Sequence, residues 1–573
     1  MRARAPALAA GWGGAACLLF GIGSALVPSS ASADDLSFEL PVFGETTFTM
    51  TSTTTLRYRG NNYDANPYDD DFGSLAQRFD LALQGDELRL EVRVDAFLPT
   101  TLFEAVRCPP GEEERCYIAW DVRPERMALR WVHEEWLVEA GDSQLVLGRG
   151  LALAFRKVDL LAVDNALRGG HVRYDSSSVD FQLHFGLANP QNQDPITLGI
   201  IQDPEDLVIA GEVELTIPGT TPLTIGVHGD RVWFVDDDRS PFTQRSVDVV
   251  GWSVEAASLL DGRLSMYGEA NALRRTYQLD DQALREFGTA VYASAQLQGD
   301  ELTVMLEWAD YDQYLVAPQN NEPQAHRIYS AVPTLEYEGP QLLRGVGNRR
   351  GGAVRVDYAF LPGPWSFSVN EALYGFDEHG RDAWDGILAS HTWLGLAKRQ
   401  EFGDEYVWSL NAVVGFRNET LLHDPDDARI GDGELERRMV HGQIEVTIGS
   451  GEHSIDISAD HRVETWYLGF GMYRDFQVGG ASITYSLGVP FAITLALRWS
   501  DFQLSELNRR NMVDYNILGG EFYPSIEVRY SFDPGTFLRA FVGQTPGGQI
   551  CSGGVCRTVP AYEGFLLQFV ARL

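Results

Sequence analysis

The sequence predicts an all-β protein, a large antiparallel transmembrane β-barrel of about 24 strands, with about 22 to 26 as the range that the turn count allows. Three observations support this prediction. Apolar and polar residues alternate along almost the whole chain, an export signal begins it, and short turns alternate with long connections. Side chains of a β-strand alternate between its two faces, so this alternation indicates sheets with one apolar and one charged surface.

The alternation is regular over many segments. Residues 88–95 read Leu-Arg-Leu-Glu-Val-Arg-Val-Asp, and residues 353–360 and 525–532 repeat the pattern. In a membrane barrel the apolar face meets lipid and the charged face meets a watery lumen. The residues predicted to line the lumen wall are Arg89, Glu91, Arg93, Asp95, Arg355, Asp357, Glu527 and Arg529.

The first 33 residues have the features of a secretion signal. Arg2 and Arg4 precede an apolar stretch over residues 13–27, and Ala31-Ser32-Ala33 fits the small-x-small cleavage rule. Residues 34–573 then form a single predicted barrel domain, because no linker or change in composition divides them. No later stretch has the 18 or so apolar residues of a membrane helix. We therefore expect a location in a bacterial outer membrane.

Short and long connections alternate along the chain. Tight turns rich in Gly, Pro and Asp are predicted at 85–87, 218–221, 260–262, 299–300, 361–364, 403–404, 449–451, 488–490 and 533–535. Longer, more acidic connections are predicted at 61–71, 236–241, 311–323, 423–434 and 505–516. This order is typical of outer-membrane barrels, with short periplasmic turns and long extracellular loops. Segment 313–348 is ambiguous and could add or remove a hairpin.

Charge and the last strand indicate the partners. The formal net charge is −36, which disfavours nucleic acid as a partner. Residues 565–573 put apolar side chains on one face and resemble the C-terminal signal that the barrel-assembly machinery recognises, although the last residue, Leu573, is not aromatic. The expected partners are outer-membrane lipid and lipopolysaccharide, the assembly machinery and an unidentified small solute.

Four cysteines follow the signal, in two close pairs. Cys108 and Cys116 form one pair, Cys551 and Cys556 the other, and each lies in a segment between strands. In an exported protein this arrangement predicts two local disulfides. Zinc is the weaker alternative, since neither pair has the Cys-x-x-Cys spacing and no histidine is near in sequence.

Residues 141–170 interrupt the alternation, and residues 143–168 are the candidate for a loop that folds into the barrel. A partly apolar connection with mixed charges is suited to narrowing a pore and selecting solutes. The candidate constriction residues are Arg149, Arg156, Lys157, Asp159, Asp164 and Arg168. The alternative is structural: the glycines would accommodate a bulge, and the arginines would pair with wall carboxylates.

A short motif in this stretch carries a resemblance. Ala140-Gly141-Asp142, followed by Gly-Arg-Gly-Leu-Ala-Leu over residues 148–153, resembles a signature of uncharacterised bacterial outer-membrane barrels. The stretch is more distantly similar to alginate-export-type porins. The resemblance covers about 30 residues, counted as the span of 141–170. It implies an outer-membrane barrel and no particular substrate.

Other candidate sites are weaker. The acidic segments 69–71, 236–238 and 424–427 could bind divalent cations, but none has an ordered calcium-loop spacing, so solvated loop charge is the preferred interpretation. The 11 histidines show no metalloprotease spacing, and no nucleophile motif accompanies them. We therefore predict no catalytic residue, cofactor or metal, and no enzymatic activity.

The function predicted from the sequence is a porin-like channel for passive or facilitated diffusion of an unidentified solute. The alternative is a non-conducting barrel that acts as a surface receptor, adhesion or assembly protein through its extracellular loops. Conductance distinguishes the two hypotheses.

Overall fold

The structure is a computed structural model, and it describes most of the chain. The described residues are 36–40, 43–60, 72–100, 121–158, 163–192, 205–235, 242–279, 282–314, 316, 329–336, 347–360, 365–376, 386–402, 406–421, 435–467, 473–500, 522–546, 548–552, 555–559 and 561–572.

These residues form 30 β-strands and no helix. The strands are β1 (Leu36–Leu40), β2 (Gly44–Arg59), β3 (Phe72–Gln84), β4 (Leu88–Thr100), β5 (Asp121–His133), β6 (Trp136–Ser143), β7 (Leu145–Leu147), β8 (Leu153–Phe155), β9 (Lys157–Val158), β10 (Val163–Asp175), β11 (Val179–Pro190), β12 (Leu207–Ile217), β13 (Leu223–Trp233), β14 (Phe242–Leu259), β15 (Leu264–Leu279), β16 (Gln282–Gln298), β17 (Leu302–Asp312), β18 (Arg349–Phe360), β19 (Trp365–Phe376), β20 (Ile387–Phe402), β21 (Tyr406–Leu421), β22 (Leu435–Ser450), β23 (His453–Tyr467), β24 (Tyr473–Leu487), β25 (Phe491–Ser500), β26 (Phe522–Asp533), β27 (Thr536–Thr545), β28 (Gly548–Ser552), β29 (Val555–Val559) and β30 (Tyr562–Arg572).

Twenty-four of these strands close into a barrel. They are β2 to β6, β10 to β27 and β30; each pairs antiparallel with its neighbours, and β30 pairs back onto β2. Thr51 lies opposite Arg572 at one end of this closing ladder, and Arg59 lies opposite Gly564 at the other. Closure leaves no unpaired barrel edge, as a membrane-spanning sheet requires. The predicted all-β antiparallel barrel and its predicted strand number are confirmed.

The connections divide between the two ends as predicted. Two-residue hairpins such as 134–135 and 451–452 lie at one end, together with the start of β2 and the end of β30. The longer connections lie at the other end, with two exceptions. Only residues 280 and 281 separate β15 from β16, and five residues separate β23 from β24, as many as separate β12 from β13. The short turns are periplasmic and the long connections extracellular. The ambiguous segment 313–348 adds no barrel strand among its described residues.

The outer surface of the barrel is apolar over its middle. On β11, for example, Leu183, Phe185 and Leu187 are exposed on one face, while the alternate residues His184 and Gly186 are buried. A belt of exposed apolar side chains around a closed antiparallel sheet is what a lipid bilayer stabilises. The protein is an outer-membrane β-barrel. Separately, among the described residues no helix is both long and apolar enough to cross a bilayer.

The hydrophobic core lies inside the lumen. Two segments enter from the extracellular end and pack together, and we call them the plug: residues 145–155, which contain β7 and β8, and residues 329–336. Tyr314 and Val316 pack with them. Residues from the barrel wall complete the cluster, among them Val208, Val232, Val249, Leu273, Tyr292, Tyr311, Tyr374 and Phe376.

Candidate functional site: the luminal plug and its supports

The first plug segment is a hairpin whose apolar side chains face the barrel wall. β7 and β8 pair antiparallel, from Leu145 opposite Phe155 to Leu147 opposite Leu153. Leu147, Leu151, Leu153 and Phe155 have 0% exposure. Burying a side chain of this size contributes roughly 1.5–3 kcal/mol. The hairpin is therefore a packed element of the lumen rather than a loop lying over its mouth.

The tip of this hairpin is the turn Gly148-Arg149-Gly150, and carboxylates of the wall hold its backbone. The backbone N–H of Gly148 donates to Glu212 Oε1 at 3.2 Å, and that of Arg149 donates to Glu269 Oε2 at 3.0 Å. Gly148 has a φ of 56°, and a Cβ there would lie 2.5 Å from Glu269 Oε1. Glycine is required here because the backbone is left-handed and the carboxylate lies directly against it.

The Arg149 side chain extends from this tip into the lumen. It is exposed, and its guanidinium carbon lies 4.1 Å from the centre of the Tyr267 ring, a cation–π contact. Among the described residues no carboxylate forms an ion pair with it. Arg149 is therefore an exposed cation inside the lumen.

A row of polar side chains supports the hairpin from below, and we call it the polar belt. Its residues come from seven barrel strands, and they are Arg130, Glu139, His171, His184, Gln182, Glu212, His228, Asn271, Glu269 and Tyr267.

The first half of the polar belt joins β5 to β11. Arg130 Nη2 lies 2.9 Å from Glu139 Oε1, and Glu139 Oε2 lies 3.4 Å from His171 Nδ1. The His171 ring stacks on the His184 ring with centres 3.8 Å apart. His184 Nε2 lies 3.2 Å from Gln182 Oε1, which continues the belt toward β12.

The second half leads to the tip of the hairpin. Gln182 Nε2 donates to Glu212 Oε2 at 2.7 Å, and His228 Nδ1 lies 3.6 Å from Glu212 Oε1. On its other side, His228 Nε2 lies 2.7 Å from Asn271 Oδ1. Asn271 and the Tyr267 hydroxyl both donate to Glu269, at 2.9 and 2.6 Å. Glu212 and Glu269 thus link the belt to the hairpin backbone.

The second plug segment packs on the first through backbone hydrogen bonds. Ala154 N–H donates to Tyr329 O, and Ala331 N–H donates to Gly150 O, each at 2.8 Å. The Phe155 and Tyr329 rings stack with centres 5.0 Å apart. Displacing one segment therefore disturbs the other.

Glu336 fastens the second segment to the far wall. Its Oε1 accepts from Arg417 Nε at 2.9 Å and from the Tyr374 hydroxyl at 2.8 Å, and His391 Nδ1 lies 3.7 Å away. Arg417 also pairs with Glu419. Burial alone would raise the pKa of Glu336, but the Arg417 cation, His391 and the hydrogen bonds from Arg417 and Tyr374 together hold this pKa below its ordinary value.

The carboxyl of Asp230, a residue of the barrel wall, lies among the apolar residues around the plug. Asp230 is 7% exposed and lies between Ala210 and Val249 of the neighbouring strands, both in the hydrophobic cluster. Neither carboxylate oxygen has a hydrogen-bond partner among the described residues. A buried polar group without a partner costs free energy, so Asp230 opposes the packing around it.

The predicted constriction residues occupy different surroundings. Arg149 is at the hairpin tip, whereas Asp164 is buried in the wall, where Arg93 Nη1 lies 3.0 Å from its Oδ2 and Arg126 Nη2 lies 3.3 Å from its Oδ1. Arg156 and Lys157 follow the hairpin, and Lys157 pairs in backbone register with Asp164. Asp159 lies outside the described residues.

Arg168, the remaining predicted constriction residue, contacts the Ala-Gly-Asp motif. It lies on the opposite face of β10 from His171, and its Nη2 is 3.1 Å from Asp142 Oδ2. Asp142 also accepts from the backbone N–H of Met127 at 2.7 Å. Gly141 has a φ of 115°, and a Cβ there would lie 1.9 Å from Met127 O. Gly141 therefore lets β5 pack closely against β6, and the hydrogen bond from Met127 to Asp142 holds the two strands together.

The predicted wall residues lie on the strand faces opposite the exposed apolar side chains, and most form ion pairs within their own strand. Arginine and the acid two residues later share a face, and we call these contacts same-strand pairs. They are Arg89–Glu91, Arg93–Asp95, Arg173–Asp175, Arg355–Asp357, Arg399–Glu401, Arg417–Glu419 and Arg462–Glu464. Glu527 pairs with Arg539 of the next strand, and Arg529 lies over the Phe537 ring.

The polar belt was not predicted from the sequence, although one signal pointed to it. A tight turn at Ser176-Ser177-Ser178 sets the register of β10 against β11, and that register places His171 directly opposite His184. Pairing the histidines across predicted hairpins would have found this contact. The contact of His228 with Glu269 depends on the barrel's three-dimensional arrangement and has no local sequence signal.

A polar cavity of about 710 Å³ lies beneath the hairpin. It extends from the periplasmic turns to residues 144–146 at the base of the hairpin. Its charged lining residues are Arg130, Glu134, Glu135, Glu139, Arg173, Asp175, Asp180, Glu212 and Glu214. Acidic residues dominate this part of the lumen.

Several predictions concern residues of which little or nothing is described. The acidic segments 69–71, 236–238 and 424–427 and the pair Cys108 and Cys116 lie outside the described residues. In the hairpin of β28 and β29, backbone register places Cys551 opposite Cys556. Within the described part of the chain, no three His, Cys, Asp or Glu residues are grouped so that they could hold a metal ion.

No family model matches the chain, and no curated protein is similar to it. Among solved structures it is similar to the siderophore receptor PirA from Pseudomonas aeruginosa, with 8% identity over 92% of this chain and 80% of that chain and a TM-score of 0.44. It is also similar to Acinetobacter baumannii OccAB1, with 10% identity over 71% and 95% and a TM-score of 0.38. For Pseudomonas aeruginosa OccK3 the identity is 14%, the coverage 72% and 96%, and the TM-score 0.34. Identities this low carry no function over to the chain.

Proposed function

We propose that the protein is an outer-membrane channel for a small solute and that the plug narrows its lumen. The observation that carries this proposal is the position of Arg149. It projects from the packed tip of the first plug segment into the lumen as a cation with no ion-paired carboxylate among the described residues. A fixed charge at a narrow point selects solutes by their charge.

The same-strand pairs support this assignment of selectivity to the plug. Seven arginines of the wall are neutralised by acids of their own strands, so these positions add little net field to the lumen. Arg149, in contrast, forms no ion pair with a described carboxylate, and it lies above the acidic cavity. The solute itself stays unidentified, and we propose no enzymatic step.

The second candidate is a non-conducting receptor barrel. The buried contact of Glu336 with Arg417 favours it, because a plug fastened to the wall by a buried ion pair suits a lumen that stays closed. In this candidate the extracellular loops bind the partner.

We also propose that the motif at 140–142 and 148–153 marks a barrel family, since Asp142 and Gly148 both have structural roles here.

Single-channel conductance of the refolded mature chain in a planar bilayer tests the channel. The matched variant replaces residues 145–155 with a Gly-Ser linker. A deletion of 148–168 would instead remove the start of β10, which is a wall strand. Steady native openings that widen in the variant support a constricted channel. A native barrel that conducts only in the variant indicates a plug that must be displaced.

Arg149→Ala supplies the second readout. We expect the reversal potential in a salt gradient to move toward cation selectivity, because the variant removes a cation above an acidic cavity. Absence of conductance in every variant of a verified folded barrel would refute the channel and favour the receptor.

A further inference from the structure

Three arginines lie on the outer surface of the barrel, just above its apolar belt. Arg231 of β13, Arg274 of β15 and Arg285 of β16 are on the extracellular side of their strands. Each shares a strand face with exposed apolar residues: Val227 on β13, Met266 on β15 and Phe287 on β16. Because alternate residues share a face, these arginines point outward and away from the lumen.

A single aspartate organises two of them. Asp248 of β14 lies between Arg231 and Arg274, with Arg231 Nε 3.3 Å from Oδ1 and Arg274 Nη2 2.8 Å from Oδ2. The Arg231 guanidinium also lies 4.7 Å from the centre of the Trp233 ring. We call Arg231, Arg274, Arg285, Asp248 and Trp233 the arginine patch. These five residues comprise three cations and one anion, and their summed charge is +2.

Along the membrane normal, the patch lies at the level of the lipid head groups of the outer leaflet. On β14 the next outward residues toward the membrane are Val250 and Trp252, which are 61% and 53% exposed. One outward step along a strand is about 6.6 Å, twice the rise per residue. Asp248 and its arginines therefore lie in the first polar row above the lipid tails.

A cationic patch at this level is unusual for a protein with a net charge of −36. Such a site is complementary to an anion in the head-group layer rather than in the tails. A guanidinium group can donate two parallel hydrogen bonds to the oxygens of one phosphate. The shared Asp248 holds the Arg231 and Arg274 guanidinium groups side by side. We propose that the arginine patch binds the phosphates of a lipopolysaccharide molecule, with the acyl chains lying along Val250 and Trp252.

The adjacent strands provide a natural comparison. On β17 and β18 the outward residue Arg350 lies 2.8 Å from Asp310, so one acid balances one arginine. This pair has no excess positive charge to offer a phosphate. It therefore serves as a control for the general effect of removing an exterior arginine.

The test compares the full mature chain with the variant R231Q/R274Q/R285Q and with R350Q. Each refolded barrel is titrated with bisphosphorylated lipid A, with dephosphorylated lipid A and with phosphatidylglycerol, and binding is read by native mass spectrometry. The melting temperature at saturating lipid A gives a second readout. Heat-modifiable migration on gels checks that every variant has folded.

We expect the triple variant to bind bisphosphorylated lipid A about 100-fold more weakly, since each interfacial arginine contributes roughly fivefold. R350Q should bind lipid A as the native barrel does, and dephosphorylated lipid A should bind weakly to all three. Equal lipid A affinity of the triple variant and the native barrel would overturn the proposal. So would phosphatidylglycerol binding as tight as lipid A binding, because the patch would then be a general anion surface. This inference stands independently of the proposed channel.

Discussion

Replacing Glu336 with alanine should release the second plug segment. In the native barrel its carboxylate accepts one hydrogen bond from Arg417 and one from Tyr374, both in buried surroundings. Breaking a buried ion pair costs about 3–5 kcal/mol. Arg417 keeps Glu419 as a partner, so we take the lower end, about 3 kcal/mol. Since 1.4 kcal/mol corresponds to about a factor of ten, the released population should rise by about 100-fold.

Single-channel recording measures this release as the fraction of time spent at the larger conductance. Glu336→Gln keeps the shape and removes the charge, so its effect should lie between the native and alanine values. Glu301→Ala is the control, because Glu301 accepts from the Tyr358 hydroxyl at 3.0 Å at an exposed periplasmic turn. An open fraction in Glu336→Ala equal to that in Glu301→Ala would refute the anchoring role of Glu336.

Lowering the pH should also release the second plug segment, because acid protonates Glu336. Burial raises the pKa of Glu336, but the Arg417 cation, His391 and the hydrogen bonds from Arg417 and Tyr374 together lower it in the closed barrel. The stabilisation of the closed plug by Glu336 is complete above the ordinary carboxyl pKa of about 4.3. It is lost as the pH falls through the lowered pKa of Glu336. We therefore expect Glu336 to cause no opening between about pH 7 and pH 5. Opening should begin only in more acidic solution, and Glu336→Ala should lack this dependence.

Three further predictions concern other parts of the chain. Gly141→Ala should lower the melting temperature of the barrel or prevent assembly, since its Cβ would clash with Met127 O, whereas Gly170→Ala should leave both unchanged because no atom lies within 4 Å. Asp230→Val should favour the closed lumen and lower the open fraction, because it removes an unpartnered carboxyl from an apolar cluster; a higher open fraction would contradict this. Cys551 and Cys556 should resist alkylation until a reductant is added, as peptide mapping can show.

The fold was predictable because each signal for it is local. Alternation marks the strands, and residues such as Gly449 and Gly451 mark the turns, so counting turns yields 24 strands. The charged faces of β4, β18 and β26 follow from the same alternation.

Most of the plug and its supports could not be predicted. Residues 329–336 carry no regular pattern, and their position depends on contacts with Arg417 and Phe155, which lie far away in sequence. The role of Glu336 is equally non-local, since its partners lie on β19 to β21. The segment around Arg149 was identified because it interrupts the alternation, but sequence spacing could not separate the exposed Arg149 from the wall-bound Arg168.

The same-strand pairs have a consequence for barrel assembly. An arginine paired with an acid two residues away has its counter-charge before any neighbouring strand is in place. The strand β4 carries the pairs Arg89–Glu91 and Arg93–Asp95. It can therefore enter the membrane with no net charge at these four positions. Bringing an unpaired charge into lipid is costly at the bilayer centre. Because each strand carries its own counter-charges, the free-energy cost of the assembly intermediates is lower. In these intermediates the wall is still open and the lumen does not yet hold water.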